Sequence, residues 1–133
     1  MPEEILMTSQ AFFRQECLAD LESRYLVHRL WEASDRDALI EKVAPNIRVV
    51  VTEGWAPADF QGKFPKLALI ASHGVGYDGV DVGAAQARKI AVTNTPGVLD
   101  DAVADLTIGL LIAVTRGIVF GDQYVRTGEW LKA

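Results

Sequence analysis

The sequence of 133 residues has one cysteine, two histidines and fewer basic than acidic residues. A single cysteine, Cys17, excludes a disulfide within the chain and a zinc site built from cysteine clusters, and it is typical of a reducing compartment. The balance of 13 Lys and Arg against 18 Asp and Glu gives a net charge of −5. Such a chain lacks the positive field that attracts nucleic acids or anionic membranes. We therefore expect a cytoplasmic protein with no nucleic-acid partner.

The chain also lacks the sequence features of secreted and membrane-spanning proteins. Its first ten residues, MPEEILMTSQ, carry acidic residues where a secretory signal carries basic ones. The most apolar run, 106–119, contains Arg116 and is shorter than the roughly 20 apolar residues that cross a bilayer. This run predicts a buried helix, and we expect no membrane partner.

What the sequence does have is an alternation of short apolar runs with helical patterns. Half of the residues are hydrophobic, which is ample for one core. Continuous apolar runs between helices are typical of strands that helices cover on both faces of a parallel sheet. Five strands are predicted, at 5–8, 25–31, 47–52, 67–71 and 90–94. The alternation predicts an α/β protein with a flavodoxin-like open parallel sheet of about five strands and flanking helices.

The starts of the first two helices carry capping residues. Ser9 is placed to cap a helix over 10–23, on which Cys17 is expected to be a small buried hydrophobe. Ser34 and Asp37 have the spacing of a capping box before a second helix. The sequence thus predicts a serine cap for both helices.

A long helix is predicted from Asp100 to about Val125. Acidic residues in its first turns are favoured by the helix dipole, which is a simpler interpretation than a catalytic carboxylate cluster. Its apolar residues lie on more than one side, so one face of a sheet cannot bury them all. We therefore expect a further surface to cover this helix.

A glycine-rich turn follows the fourth strand. Gly74, Gly76 and Gly79 match G-x-G-x-x-G, a weak signal for dinucleotide binding by itself. The following strand ends at 93–95 without the acidic or basic residue that binds a ribose or its phosphate, and Asp78 would oppose a pyrophosphate. A nest of backbone N–H groups that holds a small carboxylate fits better. The alternative is a tight turn in which the glycines only permit positive φ.

Other polar residues near the strand ends form no catalytic set. His73 adjoins the turn and could hydrogen-bond a substrate, but it has no acidic partner nearby in the sequence, and His28 is expected to be packed and hydrogen-bonded within a strand. Ser72 and Thr95 lack the histidine and acid of a nucleophile triad. The spacing of the two histidines predicts no metal site.

Four linked motifs in the second half of the chain resemble the D-isomer-specific 2-hydroxyacid dehydrogenases. They are LIASHGVGYDGVD at 69–81, IAVTNTPGVL at 90–99, VADL at 103–106 and RTGEW at 126–130. Within this family the glyoxylate/hydroxypyruvate reductase branch looks nearest. The resemblance implies a substrate-binding domain over 1–99. It also implies a crossover and dimerisation helix over 100–133 that leads to a Rossmann domain holding NAD or NADP.

The resemblance also implies roles for individual residues. The backbone amides that match Val75 and Gly76, with Gly74 beside them, would bind the substrate carboxylate, and Gly54 and Trp55 would shape the pocket wall. A second group would face the interdomain cleft near the nicotinamide. These residues are Gly97, Val98, Leu99 and Asp105.

The same resemblance implies which parts this chain lacks. The family's dinucleotide fingerprint and its catalytic Arg, Glu and His lie beyond Ala133, and Asp100 stands where the family often has Thr. We therefore expect no catalytic residue and no bound cofactor in the chain alone. The function implied is the substrate-binding part of an NAD(P)-dependent reductase of small 2-ketoacids, a homodimer through 100–126. The alternative is a standalone carboxylate-binding or dimerisation module without catalysis.

Overall fold

A parallel sheet forms the first of two units into which the chain divides. The computed structural model describes residues 3–10 and 14–132. The first unit ends at Pro96 and the second begins at Gly97. The strands are β1 (Glu4–Met7), β2 (Leu26–Arg29), β3 (Val49–Thr52), β4 (Trp55–Ala56), β5 (Leu69–Ser72), β6 (Gly79–Val80) and β7 (Ala91–Thr93).

Five of these strands make one sheet in the order β2-β1-β3-β5-β7, and every neighbouring pair is parallel. In the register, Leu6 lies beside Val50, and Val50 lies beside Ile70. This architecture confirms the predicted α/β fold with an open parallel sheet. The remaining strands, β4 and β6, pair separately as a short parallel ribbon.

The helices are α1 (Gln15–Arg24), α2 (Arg36–Val43), α3 (Ala58–Gly62), α4 (Val82–Ala87), α5 (Asp100–Thr115) and α6 (Ile118–Arg126). Short 3-10 helices occupy Leu30–Glu32 and Glu129–Lys132. The first four α-helices belong to the first unit, and α5 and α6 belong to the second.

The core of the first unit lies on the central strands. Leu6, Val50 and Ile70, one from each of three adjacent strands, are fully buried, as are Ile47 and Phe64. Each such side chain contributes about 1.5–3 kcal/mol relative to leaving it exposed. Both faces of the sheet are buried at β1, whereas in β3 and β5 fully buried residues alternate with partly buried ones.

The starts of α1 and α2 differ from the sequence predictions. α1 begins at Gln15 after an extended Arg14, so Ser9 is not its cap, and residues 11–13 lie outside the described residues. The cap of α2 is Asp35, whose carboxylate accepts a hydrogen bond from the Ala38 N–H at 3.0 Å. The prediction of Ser34 was wrong by one residue, because a carboxylate one position later reaches the free N–H.

Two further predictions in this region were wrong. The second strand ends at Arg29, because Leu30–Glu32 turns as a 3-10 helix towards α2. Cys17 is exposed, whereas its neighbour Leu18 is the buried residue of α1. Since successive helix residues are about 100° apart, burial of Leu18 leaves Cys17 on the solvent side.

The predicted long helix is broken in two. Gly117 has φ 60° and ψ 35°, in the left-handed region, and it separates α5 from α6 with a bend of 58°. Glycine adopts this conformation without a steric penalty and therefore ends helices. Sequence reasoning missed the break because Gly117 stands inside a continuous apolar pattern.

No residue of α5 or α6 is buried, so the prediction of a buried helix over 106–119 is wrong for this chain. Large apolar side chains are exposed along both helices, including Leu106, Leu111 and Phe120. In the part of the chain that the structure describes, no single helix is long and apolar enough to cross a membrane. The two helices reach that length and composition only as a bent pair.

Candidate functional site

The glycine-rich turn lies at the carboxyl end of β5, between β3 and β7 in the sheet. Ligands of open α/β sheets bind beyond the carboxyl ends of the strands. His73 opens the turn, and its N–H donates to the Thr52 carbonyl at 2.6 Å across the end of the sheet. The turn therefore begins from an anchored position at the edge where ligands are expected.

Three successive carbonyl groups of the turn accept hydrogen bonds from neighbouring segments. The pairs are Gly74 O with the Thr95 N–H (2.9 Å), Val75 O with Asn94 Nδ2 (2.9 Å) and Gly76 O with Ser72 Oγ (3.3 Å). A carbonyl and the N–H of the next residue share one peptide plane. These bonds therefore also set the direction of the N–H groups of Val75 and Gly76.

The N–H groups of Val75 and Gly76 remain available to a ligand. Within residues 3–10 and 14–132, neither group donates a hydrogen bond to the protein, and both residues are exposed. Successive backbone N–H groups in a turn are a known arrangement for binding anions. A small carboxylate matches two such donors in size and charge.

The glycines of the turn do more than permit positive φ. Of the three, only Gly74 has positive φ, at 153°. At Gly79 a Cβ atom would lie 2.7 Å from the Gly54 carbonyl oxygen, so this position needs glycine for close approach. Positive φ therefore explains only Gly74, close approach explains Gly79, and neither applies to Gly76.

A second loop, at Gly54, packs directly against the glycine turn. Gly54 has φ 80°, and a Cβ atom there would lie 2.5 Å from the Gly76 carbonyl oxygen. Any side chain at Gly54 would therefore push the turn away or distort the loop. The two loops interlock through backbone atoms, at the residue whose N–H group is the candidate ligand donor.

The ribbon of β4 and β6 holds this interlock in register. Trp55 pairs with Gly79, and Ala56 pairs with Val80. The Thr52 hydroxyl accepts from the Trp55 N–H at 3.2 Å and donates to the Trp55 carbonyl at 2.6 Å, which turns the chain out of β3. Sequence reasoning missed the ribbon, because two-residue strands carry no hydrophobic periodicity.

Trp55 stands between the glycine turn and a separate cleft. The cleft has a volume of about 520 Å³ and lies beyond the carboxyl ends of β1 and β3. Its lining includes Thr8, Leu30, Arg36, Asp37, Ile40, Glu53, Trp55, Phe60 and Lys63. The Trp55 ring is half exposed and contacts the Phe60 ring at a centroid distance of 5.0 Å. The cleft offers apolar surface and charged groups beside the candidate site.

Two other titratable side chains, His28 and Arg29, are paired with glutamates. His28 Nε2 lies 2.8 Å from Glu4 Oε2 and is partly buried, which confirms its predicted structural role. Hydrogen bonds to Glu32 and Glu22 raise the pKa of Arg29 above its usual range, away from the turn. No group of three or more possible metal ligands occurs among the described residues.

The structure brings one set of predicted site residues together and leaves the other in the second unit. The first set, in the first unit, consists of Gly54, Trp55, Gly74, Val75 and Gly76. The second set consists of Gly97, Val98 and Leu99, which precede α5, and Asp105, which lies in α5. Gly97 has φ 78°, and the three others are exposed.

Comparison with known proteins places the chain in a family. Residues 5–129 match the model of the catalytic domain of D-isomer specific 2-hydroxyacid dehydrogenases. The chain therefore belongs to this family of oxidoreductases, as its motifs predicted. The sheet and the glycine-rich turn are thus parts of a dehydrogenase domain.

Individual relatives agree with this assignment. Glyoxylate/hydroxypyruvate reductase A of Arabidopsis thaliana is 41% identical over 84% of the chain, which spans 36% of that protein. The crystal structure of a 2-hydroxyacid dehydrogenase from Ketogulonicigenium vulgare matches all of the chain with a TM-score of 0.88 and 38% identity, and 42% of that protein is covered. An NADPH-dependent glyoxylate/hydroxypyruvate reductase from Sinorhizobium meliloti, crystallised with NADP and malonate, matches with a TM-score of 0.77 and 31% identity over 100% of this chain and 40% of that one. The chain thus spans less than half of each relative.

Proposed function

We propose that this chain is the substrate-binding part of an NAD(P)-dependent oxidoreductase that reduces small 2-ketoacids, of the glyoxylate or hydroxypyruvate type, to D-2-hydroxyacids. The observation that carries the proposal is the pair of N–H groups at Val75 and Gly76, which donate to no group of the described residues and whose peptide planes are held by the anchored carbonyls of Gly74 and Val75. In this proposal residues 1–99 bind the substrate, and 100–133 form the crossover and dimerisation segment.

The substrate carboxylate would accept hydrogen bonds from Val75 and Gly76. Hydrogen bonds to a charged group contribute about 1.5–3 kcal/mol each. Because the entropy lost on association offsets much of this gain, we expect weak binding and take a Kd of about 1 mM, or about −4 kcal/mol, as its scale. The Gly54 loop and Trp55 would form the wall beside the bound acid, with the cleft giving room for a substrate side chain.

A nicotinamide cofactor supplies hydride to the ketone carbon in reactions of this class. The G-x-G-x-x-G turn does not fit a dinucleotide. The Gly54 carbonyl already occupies the space beside Gly79, and the helix that follows the turn, α4, has only six residues. We propose that Gly97, Val98, Leu99 and Asp105 face a cofactor that another domain binds, and that this chain alone binds none and is inactive. In the chain by itself, only the binding and orientation of the ketoacid remain.

The test is a titration of the 15N-labelled chain with sodium glyoxylate and, separately, with sodium oxamate. We expect saturable shifts of the Val75 and Gly76 amide resonances and little change in β1 or β2. Absence of any shift at these amides up to 50 mM of either acid, a limit about 50 times the expected Kd, would overturn the proposal. Oxidation of NADPH or NADH with glyoxylate should be undetectable for the chain alone.

A second candidate is carboxylate binding without catalysis, favoured by the fact that the whole nest lies within the first unit. The two candidates differ in what the intact gene product does. Turnover of a 2-ketoacid by the gene product with NADH or NADPH supports the reductase. Carboxylate binding without turnover supports the binding module.

We also propose that α5 and α6 mediate a homodimer in the cytoplasm. The support is the row of exposed apolar side chains on these helices, which a water-soluble chain would cover with a second copy. The cytoplasmic location and the lack of nucleic-acid partners are supported by the free Cys17 and the net charge of −5. Light scattering across micromolar concentrations should show dimers, and only monomers would contradict this.

A further inference from the structure

Gln61 is a fully buried polar side chain that the proposed chemistry does not use. It lies in α3, and its Nε2 donates to two backbone carbonyls, Ala56 O at 2.8 Å and Asp81 O at 2.9 Å. Ala56 ends β4, and Asp81 directly follows β6. One side-chain amide therefore bridges the carboxyl ends of both strands of the ribbon.

Neither carbonyl needs Gln61 in order to be hydrogen-bonded. Ala56 O also accepts from the Asp81 N–H at 3.0 Å, and Asp81 O accepts from the Ala85 N–H at 3.1 Å. The Gln61 Oε1 atom is buried and has no partner among the described residues, which is unfavourable for stability. An apolar side chain of similar size would fill the same space without that penalty. The position of the amide is therefore better explained by the geometry that it imposes.

The Gln61 bridge helps to fix the alignment of β4 and β6, because the ribbon has little stability of its own. A parallel pair of two-residue strands is too short to be stable alone. Yet this pair aligns Gly54 with Gly76 and Gly79, at approaches where a single added carbon would collide. The carboxyl end of α3 is itself fixed, because the Arg88 guanidinium donates to the backbone carbonyl of Gln61 and to that of Phe64, just after the helix.

We propose that Gln61 is a positioning residue for the carboxylate site. It does not touch the ligand. By fixing β4 against β6 it holds the Gly54 loop against the Gly76 carbonyl, and so fixes the position of the turn that carries the Val75 and Gly76 N–H groups. This inference rests on the proposed carboxylate binding and adds a residue that its motif does not contain.

The decisive variant is Gln61→Met, which keeps the size of the side chain and removes both donors. We expect its Tm to equal or exceed that of the unchanged chain. We expect its Kd for glyoxylate, from the Val75 and Gly76 amide shifts, to rise by about tenfold. Amide exchange at Gly79 and Val80 in the free chain should be faster, whereas exchange in β1 should not change.

Ile47→Val is the matched control, because Ile47 is fully buried in the core and lies outside both loops. It should lower the Tm and leave the Kd unchanged. If Gln61→Met binds glyoxylate within twofold of the unchanged chain, the positioning role is wrong while carboxylate binding stands. If Gln61→Met does not fold, the role is also wrong, because the amide would then be required for stability. If the unchanged chain shows no binding, the proposed function itself fails.

Discussion

The two units of the chain contain similar apolar residues in opposite environments. In the first unit Leu6, Val50 and Ile70 are fully buried on adjacent strands. In the second unit Leu111 and Phe120 are 62% and 72% exposed. The first unit buries these apolar residues between its own helices and sheet. The second carries an apolar surface that nothing in its own helices buries.

The difference shows that hydrophobic content does not by itself predict burial. A buried strand residue is covered from two sides by elements close in the same unit. A helix that is apolar on several sides needs covering on each of them, which two consecutive helices do not provide. Exposed apolar surfaces of this kind are typical of interaction sites, which supports the proposed dimer.

The largest expected effect on stability comes from truncating a leucine to alanine in the first unit, compared with the same substitution in the second. Leu6→Ala should destabilise the first unit by about 2–5 kcal/mol, because it leaves a cavity in a fully buried position. Leu111→Ala should change the stability of the monomer by less than about 0.5 kcal/mol, as exposed substitutions do. Urea unfolding at low protein concentration measures both. Equal losses would show that Leu111 is buried in solution.

Replacing a glycine with alanine should have opposite effects on stability in the two units. Gly54→Ala should cost about 2–4 kcal/mol and abolish glyoxylate binding, because it adds strain at φ 80° and a collision with the Gly76 carbonyl. Gly109→Ala, in the middle of α5 with no atom near its Cβ, should stabilise α5 by about 0.5–1 kcal/mol. Thermal unfolding followed by circular dichroism compares the two. A neutral Gly54→Ala variant would mean that the loops do not interlock.

A charge on the exposed surface should act on assembly alone. Phe120→Glu should weaken the proposed dimer by about tenfold or more, about 1.4 kcal/mol, because it places a carboxylate in an apolar interface. Glu129→Gln, on the 3-10 helix at the end of the same unit, is the control. Sedimentation equilibrium measures both dimer constants. An unchanged constant in Phe120→Glu would place the interface elsewhere.

The smallest expected effects concern helix caps. Asp35→Ala should cost about 1 kcal/mol, because it removes the acceptor for the Ala38 N–H. The cap position of α5 is Leu99, whose backbone is helical (φ −116°, ψ −3°) and not extended, so Leu99→Ser should add less than about 0.5 kcal/mol of stability to α5. Amide exchange in the first turn of each helix would detect both changes. No change in α2 would contradict the Asp35 cap.

Much of the fold and part of the candidate site were predictable from local patterns. The apolar runs predicted the strands of the parallel sheet, and the motif at 69–81 predicted the family and a glycine-rich turn at the carboxyl end of a strand. The helix caps were predicted less well, because serine and aspartate compete for the same role over one or two residues. Gly117 was missed, because a single glycine in an apolar run gives no sign of which conformation it adopts.

By itself the sequence determined the class of fold and the family, since both depend on residues close together along the chain. Strand and helix periods, and the order of four motifs, are local properties that survive without coordinates. Only the tertiary structure decided how Gly54 meets Gly76, which carbonyls anchor the turn, and that Gln61 bridges β4 to Asp81. Most of those contacts join residues about 20 positions apart, and each of them involves a backbone carbonyl. Because backbone atoms are the same in every residue, no pattern of side chains records which of them will meet.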